Sequence, residues 1–338
     1  MKSVFHPKLV NPPLEDPALF IPFFFEKRAL LFDMGDLHRL PAKDILKITH
    51  GFVTHTHMDH FAGFDTILRT CLGRQKLLHV FGPPGFLKNI EGKLSGYTWN
   101  LVENYSHGFF LKATEVYPTY TLNRVYDCKD GFEPAEAPAE APFDGTLLSE
   151  PAFSVHAIHL DHKVPCLGLS IEERFHINIR KESLKRLELP VGPWLKRFKK
   201  ALHEERDPEE DYEVTWKEDG KERKRMFRLG DLADEITHVS AGQKITYIVD
   251  VVFGPENAEK IIAFARNADH LFIEAAFLDS ELDVAYNKYH LTAKQAGILA
   301  GKAGVKQFTV FHFSPRYAHT AHLLQQEADQ AFAEIIGS

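Results

Sequence analysis

Residues 53–65 read V-T-H-T-H-M-D-H-F-A-G-F-D, with three histidines and an aspartate inside six positions. The stretch before it, Lys47 to Thr54, has the β-branched and aromatic content of a strand. His55 and His57 stand two apart, so an extended chain turns them to one side, whereas a helix would separate them by about 200°. Asp59 and His60 follow where an irregular turn can aim them at different atoms, and Gly63 lets the chain leave tightly. Imidazole together with carboxylate suits a borderline cation such as zinc. Four such groups, so close and so differently directed, do not fit comfortably around one tetrahedral ion. Two ions side by side are expected, against the plainer readings of a single ion or a surface cluster holding none.

Working outward, the surrounding pattern predicts α/β layers. Two apolar runs, A-L-F-I-P-F-F-F and A-L-L-F-D, flank Glu26-Lys27-Arg28 as strands flank a turn. Gly63 to Leu72 suits a short helix, and L-L-H-V-F at 77–81 is a strand ended by Gly82-Pro83-Pro84-Gly85. F-S-V-H-A-I-H-L alternates as a strand up to Asp161-His162, and residues 131–145, rich in proline and alanine, are expected as an exposed loop. In the last third, K-I-T-Y-I-V-D (244–250) and H-L-F-I-E-A-A-F (270–277) are strands around an amphipathic helix at 256–266. Thr292 and Gln295 form a capping-box pattern that opens a helix to about Gly301, and Q-F-T-V-F-H-F-S follows as a strand. Strands alternating with helices argue for layered sheets covered by helices.

Bulk properties narrow the class further. The 338 residues are 44% apolar and 26% charged, ample for a large core, and one domain spanning 1–338 with a surface insertion at about 181–235 is expected. A formal charge of -7 argues against a nucleic-acid binder that uses its whole surface, and leaves room for a local basic patch. The three cysteines are far apart, which excludes a thiolate metal knuckle and favours a reducing compartment. The N-terminus lacks a secretory pattern and no apolar run is long enough to span a bilayer, so a cytoplasmic location without membrane contact is expected.

The H-T-H-M-D-H motif resembles the H-x-H-x-D-H signature of the metallo-β-lactamase fold superfamily. Further segments resemble its ribonuclease Z branch: F-G-P-P-G at 81–85, L-D-H-K-V-P-C-L-G at 160–168, P-V-G-P-W-L-K-R at 190–197, Asp250 after a strand, H-L-T-A at 290–293 and H-F-S-P-R-Y at 312–317. The resemblance implies a four-layer αββα sandwich and two Zn2+, with Mn2+ or Fe2+ compatible with the same donors. It implies that His55, His57 and His162 hold one ion, that Asp59, His60 and His312 hold the other, and that Asp250 bridges them. Between such paired ions, about 3.5 to 4 Å apart, a water becomes a hydroxide near neutral pH and attacks phosphorus. His290 would then sit beside the leaving group with Glu274 orienting it, and Asp59 would also orient the nucleophile. His159 is a rival to His162. Glu274, in a buried apolar strand, requires a partner such as His290.

The implied activity is a zinc-dependent phosphodiesterase that trims the 3′ ends of precursor tRNA, acting as a homodimer. The alternatives are a hydrolase of a small phosphodiester, lactone or ester, and a weakly catalytic metal-binding scaffold in RNA processing. The chain departs from the branch at its N-terminus and around Asp250, where V-D-V replaces the expected glycine and threonine neighbours. The 181–235 insertion resembles a tRNA-gripping arm, on which Lys196, Arg197, Lys199 and Lys200 would meet phosphates. Arg316 would be a positive group near the site.

Overall fold

The computed structural model describes residues 5–23 and 26–337. The chain forms two compact units, a smaller one of residues 148–154 and 172–243 and a larger one of 155–171, residues from 244 on and the described residues before 148. The stretch 181–235 lies within the smaller unit.

An eight-stranded sheet takes its strands in chain order: β1 (Lys8–Leu9), β2 (Leu19–Pro22), β3 (Ala29–Phe32), β4 (Ile48–Phe52), β5 (Lys76–Gly82), β6 (Phe109–Val116), β7 (Tyr120–Asp127) and β8 (Ala139–Pro142). The central strands β3 to β6 run parallel, and the outer pairs are antiparallel. The first apolar run was expected to reach residue 25; β2 ends at Pro22, and Phe24 and Phe25 lie outside the described residues. Within 131–145, expected as loop throughout, β8 pairs with β7 at the sheet edge and ends at Pro142, where a missing N–H costs the ladder least.

The chain continues through β9 (Thr146–Ser149), β10 (Phe153–Asp161), β11 (Pro165–Glu173), β12 (Phe175–Ile179), β13 (Asp211–Glu218), β14 (Lys221–Arg228), β15 (Thr237–Ala241), β16 (Lys244–Ile248), β17 (His270–Glu274) and β18 (Phe308–Phe311). A six-stranded sheet is ordered β18-β17-β16-β11-β10-β9, with β16, β17 and β18 parallel.

Both faces of the central strands are covered, which is why they read as unbroken apolar runs. On one face of β3, Ala29 and Leu31 join Ile67, Leu68 and Ile90 of the covering helices. On the other, Phe32 meets Phe52 edge-on at 5.5 Å and Tyr247 of β16 at 6.0 Å between ring centroids, so the two sheets stack. Ile261, Leu299 and Leu324, from helices Pro255–Phe264, Ala293–Ala303 and Ala321–Ile336, cover the second sheet and complete an αββα sandwich. Each such fully buried Leu or Phe contributes roughly 1.5–3 kcal/mol. The Thr292–Gln295 capping box is formed, with both reciprocal bonds present.

The smaller unit, which contains the stretch expected as a surface insertion, carries an apolar core of its own that includes Trp194, Phe198, Tyr212 and Leu232. Helices Lys181–Arg186, Trp194–His203 and Leu229–Ile236 and the β13–β14 hairpin supply it. Most of the charged residues between these positions are exposed, which hid the pattern in the sequence. Among the described residues, no helix is long and apolar enough to cross a membrane.

Candidate metal centre

The expected ligands converge at the carboxyl ends of strands, where α/β sheets place their sites. His55 and His57 leave β4, Asp59 and His60 sit on the short helix Met58–Phe61, His162 follows β10, Asp250 follows β16 and His312 follows β18. Asp250 is the central group. Its Oδ2 lies 3.3 Å from His55 Nε2, 3.2 Å from His162 Nε2 and 3.5 Å from His60 Nε2, while its Oδ1 lies 3.2 Å from His312 Nδ1. Asp59 Oδ2 is 3.2 Å from His312 Nε2 and 3.4 Å from His60 Nε2. Three candidate ligand groups result: His55, His57, His162 and Asp250; Asp59, His60 and His312; and Asp250, Glu274, His290 and His312, which shares Asp250 with the first and His312 with the second. His162, not His159, enters the cluster; His159 bonds the Val116 carbonyl at 3.1 Å instead.

Whether cations fit is decided by the buried atoms. His55 Nε2, His60 Nε2, Asp250 Oδ1 and His312 Nδ1 are all buried without a hydrogen-bond partner among the described residues. Leaving one such atom unpaired costs about 1–3 kcal/mol, so four of them around one point fit a pair of divalent cations. The opposite ring nitrogens are held. His60 Nδ1 meets Asp33 Oδ2 at 2.9 Å, His55 Nδ1 meets Thr54 Oγ1 at 3.1 Å, and His162 Nδ1 donates to the Tyr289 carbonyl at 2.7 Å. Fixing one nitrogen in this way presents the other as a ligand. Asp33 is itself held by Thr54 N and Oγ1 and by the Tyr247 hydroxyl. Asp33, Thr54, Tyr247 and Tyr289 escaped the sequence reading; only Asp33, an acid closing the run A-L-L-F-D, left a signal there.

No family model matches the chain. Among curated proteins, the ribonuclease Z of Ligilactobacillus salivarius is 30% identical over 316 residues, covering 90% of this chain and 83% of that protein. The chain belongs to the ribonuclease Z-like branch of the metallo-β-lactamase fold superfamily. The ribonuclease Z of Deinococcus radiodurans is 29% identical over 318 residues, covering 91% and 90% of the two chains. Among solved structures, the metallo-β-lactamase fold protein YhfI from Bacillus subtilis superposes with a TM-score of 0.57 at 15% identity, covering 98% of this chain and 94% of that one. The short form of human tRNase Z gives 0.50 at 18% identity, covering 93% of each. These two likenesses concern the fold. Membership of this branch, together with the clustered ligands, makes the chain a metal-binding hydrolase of the metallo-β-lactamase fold.

Electrostatics divides the ligands of this ribonuclease Z relative into two sets. Burial pulls His55, His57 and His162 down, so these imidazoles are neutral donors. Burial also opposes charge on His60 and His312, but the carboxylates of Asp250 and Asp33 outweigh it at His60, which is held well above its ordinary value, and those of Asp250 and Asp59 push His312 up to about 10. The carboxyls answer in kind. Burial would raise Asp59 and Asp250, yet His312 and His60 hold both far below the usual carboxylate range. His290 Nδ1 bonds Glu274 Oε2 at 2.8 Å, and Glu274 Oε1 accepts from Val251 N at 2.8 Å. Burial of His290 is outweighed by Glu274, which raises its pKa. Backbone strain gathers here too: Asp33, Lys163, Asp250, Tyr289 and His312 all have φ between 49° and 64°.

A cleft of about 260 Å³ opens on the cluster, lined in part by Glu15, Asp16, Asp59, Lys288, His290 and His312. The loop that supplies Glu15 and Asp16 is pinned by Asn11, whose amide donates to the Asp16 and Asp36 carbonyls at 2.8 and 2.7 Å. Arg316 is paired with Glu281 and lies over the Phe277 ring at 5.2 Å. Lys196, Arg197, Lys199 and Lys200 share the helix Trp194–His203 of the smaller unit. There Lys199 is half-buried and donates to the Ile177 carbonyl, Arg197 donates to Thr215 Oγ1, Lys200 pairs with Glu204 at 3.5 Å, and Lys196 is exposed.

Proposed function

We propose that the protein is a zinc-dependent phosphodiesterase that cleaves precursor tRNA at its 3′ side, a reading supported by its likeness to curated proteins named ribonuclease Z. The observation that carries this reading is the convergence of unpaired buried atoms from His55, His60, Asp250 and His312 next to a His290–Glu274 pair at the cleft. His55, His57 and His162 would hold one cation, Asp59, His60 and His312 the other, with Asp250 shared. Bound there, two cations neutralise phosphate charge and lower the pKa of water. Glu274 holds the Nδ1–H of His290 and raises its pKa, so that an Nε2–H would face the leaving oxygen of the substrate and protonate it. Asp59 is partly exposed, so one carboxylate edge remains able to orient an incoming nucleophile.

A second reading, hydrolysis of a small phosphodiester, draws support from the limited cleft and from Glu15 and Asp16 on its wall. The experiment is a comparison of kcat/KM for a precursor tRNA, bis(4-nitrophenyl) phosphate and a lactone, using zinc-loaded protein before and after chelation. Metal-dependent cleavage of the tRNA at the 3′ side is expected. Turnover of the lactone alone would overturn the phosphodiesterase reading, and turnover of the small diester alone would leave the second.

A further inference from the structure

Lys163 and Lys288 border the metal centre, and neither has a carboxylate partner among the described residues. Lys163 directly follows His162 and is exposed. Its backbone has φ 64°, which strains a lysine and would cost a glycine little, and its N–H donates to Asp161 Oδ1 at 2.8 Å. Its ammonium lies 5.8 Å from the centre of the Tyr289 ring. Lys288 is exposed, lines the cleft with Asp59, His290 and His312, and has its ammonium 5.8 Å from the Phe277 ring. Tyr289 joins the two ends, since it follows Lys288 in the chain and its carbonyl holds His162. One lysine thus flanks the His162 end of the cluster and the other the His290 and His312 end. A cation resting on a ring face keeps its charge available to an anion, unlike Arg316, whose charge Glu281 already meets.

Charge on the cleft wall gives this arrangement a direction. Asp16 lines the same cleft as Lys288 and repels phosphate from its side, while the charge of Glu15 beside it is met by Arg39 at 2.7 Å. We propose that Lys163 and Lys288 grip the phosphates on either side of the scissile one, so that the substrate class is an oligonucleotide strand and not a diester with a single phosphate. This rests on the phosphodiesterase reading above. Lysine meets each phosphate as a point charge, without reading bases.

The test uses the full-length, zinc-loaded protein, its Lys163→Ala, Lys288→Ala and double variants, and Lys163→Arg and Lys288→Arg. Precursor tRNA and bis(4-nitrophenyl) phosphate serve as substrates, and tRNA binding is followed by fluorescence anisotropy across a KCl series. Each alanine variant should lower kcat/KM for the tRNA about tenfold, with a several-fold smaller loss on the single-phosphate diester. The slope of log Kd against log salt should flatten by about one for each lysine removed, and arginine should restore it. Equal losses on both substrates, or an unchanged salt slope with full tRNA cleavage, would overturn the role of the lysines. Failure of the unsubstituted protein to cleave the tRNA at all would instead remove the reading beneath it.

Discussion

The phenol of Tyr247, on β16, donates a 3.0 Å hydrogen bond to Asp33 Oδ2, the same oxygen that holds His60 Nδ1 at 2.9 Å. Both residues are fully buried, and the bond joins the second sheet to the histidine loop. Tyr247→Phe removes this donor and leaves a buried carboxylate short of one partner, at a cost of about 1.5–3 kcal/mol. Affinity for the cation at Asp59, His60 and His312 should fall about tenfold or more, with the His55, His57 and His162 side less affected. Calorimetric titration of metal-free protein with zinc would resolve the two steps, and equal weakening of both would contradict this.

His290→Ala should lower kcat by a factor of about 10² to 10⁴, the range of a lost proton donor, while two metal ions per chain are retained. Glu274→Gln should lower kcat in the same direction, because a neutral amide no longer fixes the His290 proton on Nδ1. Metal content by mass spectrometry beside single-turnover rates would check both variants. Loss of metal in His290→Ala would place His290 among the ligands.

Gly63 lies directly against the backbone beneath the metal loop. A Cβ there would fall 2.1 Å from the Gly35 carbonyl oxygen and 2.9 Å from that of Met34, which also accepts from Gly63 N at 2.7 Å. Gly63→Ala should therefore destabilise the protein by about 1–3 kcal/mol through overpacking and displace Asp59 and His60. Denaturant midpoints with zinc titration would show both effects. An unchanged midpoint would mean that the loop moves aside without strain.

His79 on β5 stacks on Phe81 with ring centroids 4.0 Å apart and bonds Thr114 Oγ1 at 2.7 Å. Burial, helped by Lys112, pushes its pKa down to about 2. The unfolded chain takes up a proton near pH 6.5 that the native state refuses, so the stability present above pH 6.5 is lost as pH falls toward 2. Between pH 7.5 and 5 the loss from this group is about 2 kcal/mol. His79→Gln keeps a donor for Thr114 and cannot titrate, so its urea stability should fall by that much less over the interval. Parallel pH curves for the two proteins would rule the mechanism out.

Much of the site was legible because metal chemistry restricts it to few residue types at local spacings. H-T-H-M-D-H declared itself within six positions, and the acids Asp250 and Glu274 stood out as charges in or beside apolar strands that bury them. Strand periodicity likewise revealed most of β3, β5, β10, β16 and β17, since each buries its apolar residues against a neighbouring layer. The core of the smaller unit was harder to read, because Trp194, Phe198 and Tyr212 come from separate elements divided by charged segments.

By itself, then, the sequence determined the ligand types, the local motifs and the alternation of strands and helices. Local geometry dictates these through 2.0- and 3.6-residue periods and through donor chemistry. Tertiary structure alone decided that His162 joins the cluster while His159 turns to Val116, that Tyr247 secures Asp33, and that Arg316 meets a carboxylate while Lys163 and Lys288 meet none among the described residues. Those outcomes depend on which polar group meets which across strands far apart in the chain. Such pairings are set by packing and burial, and no spacing in the sequence encodes them.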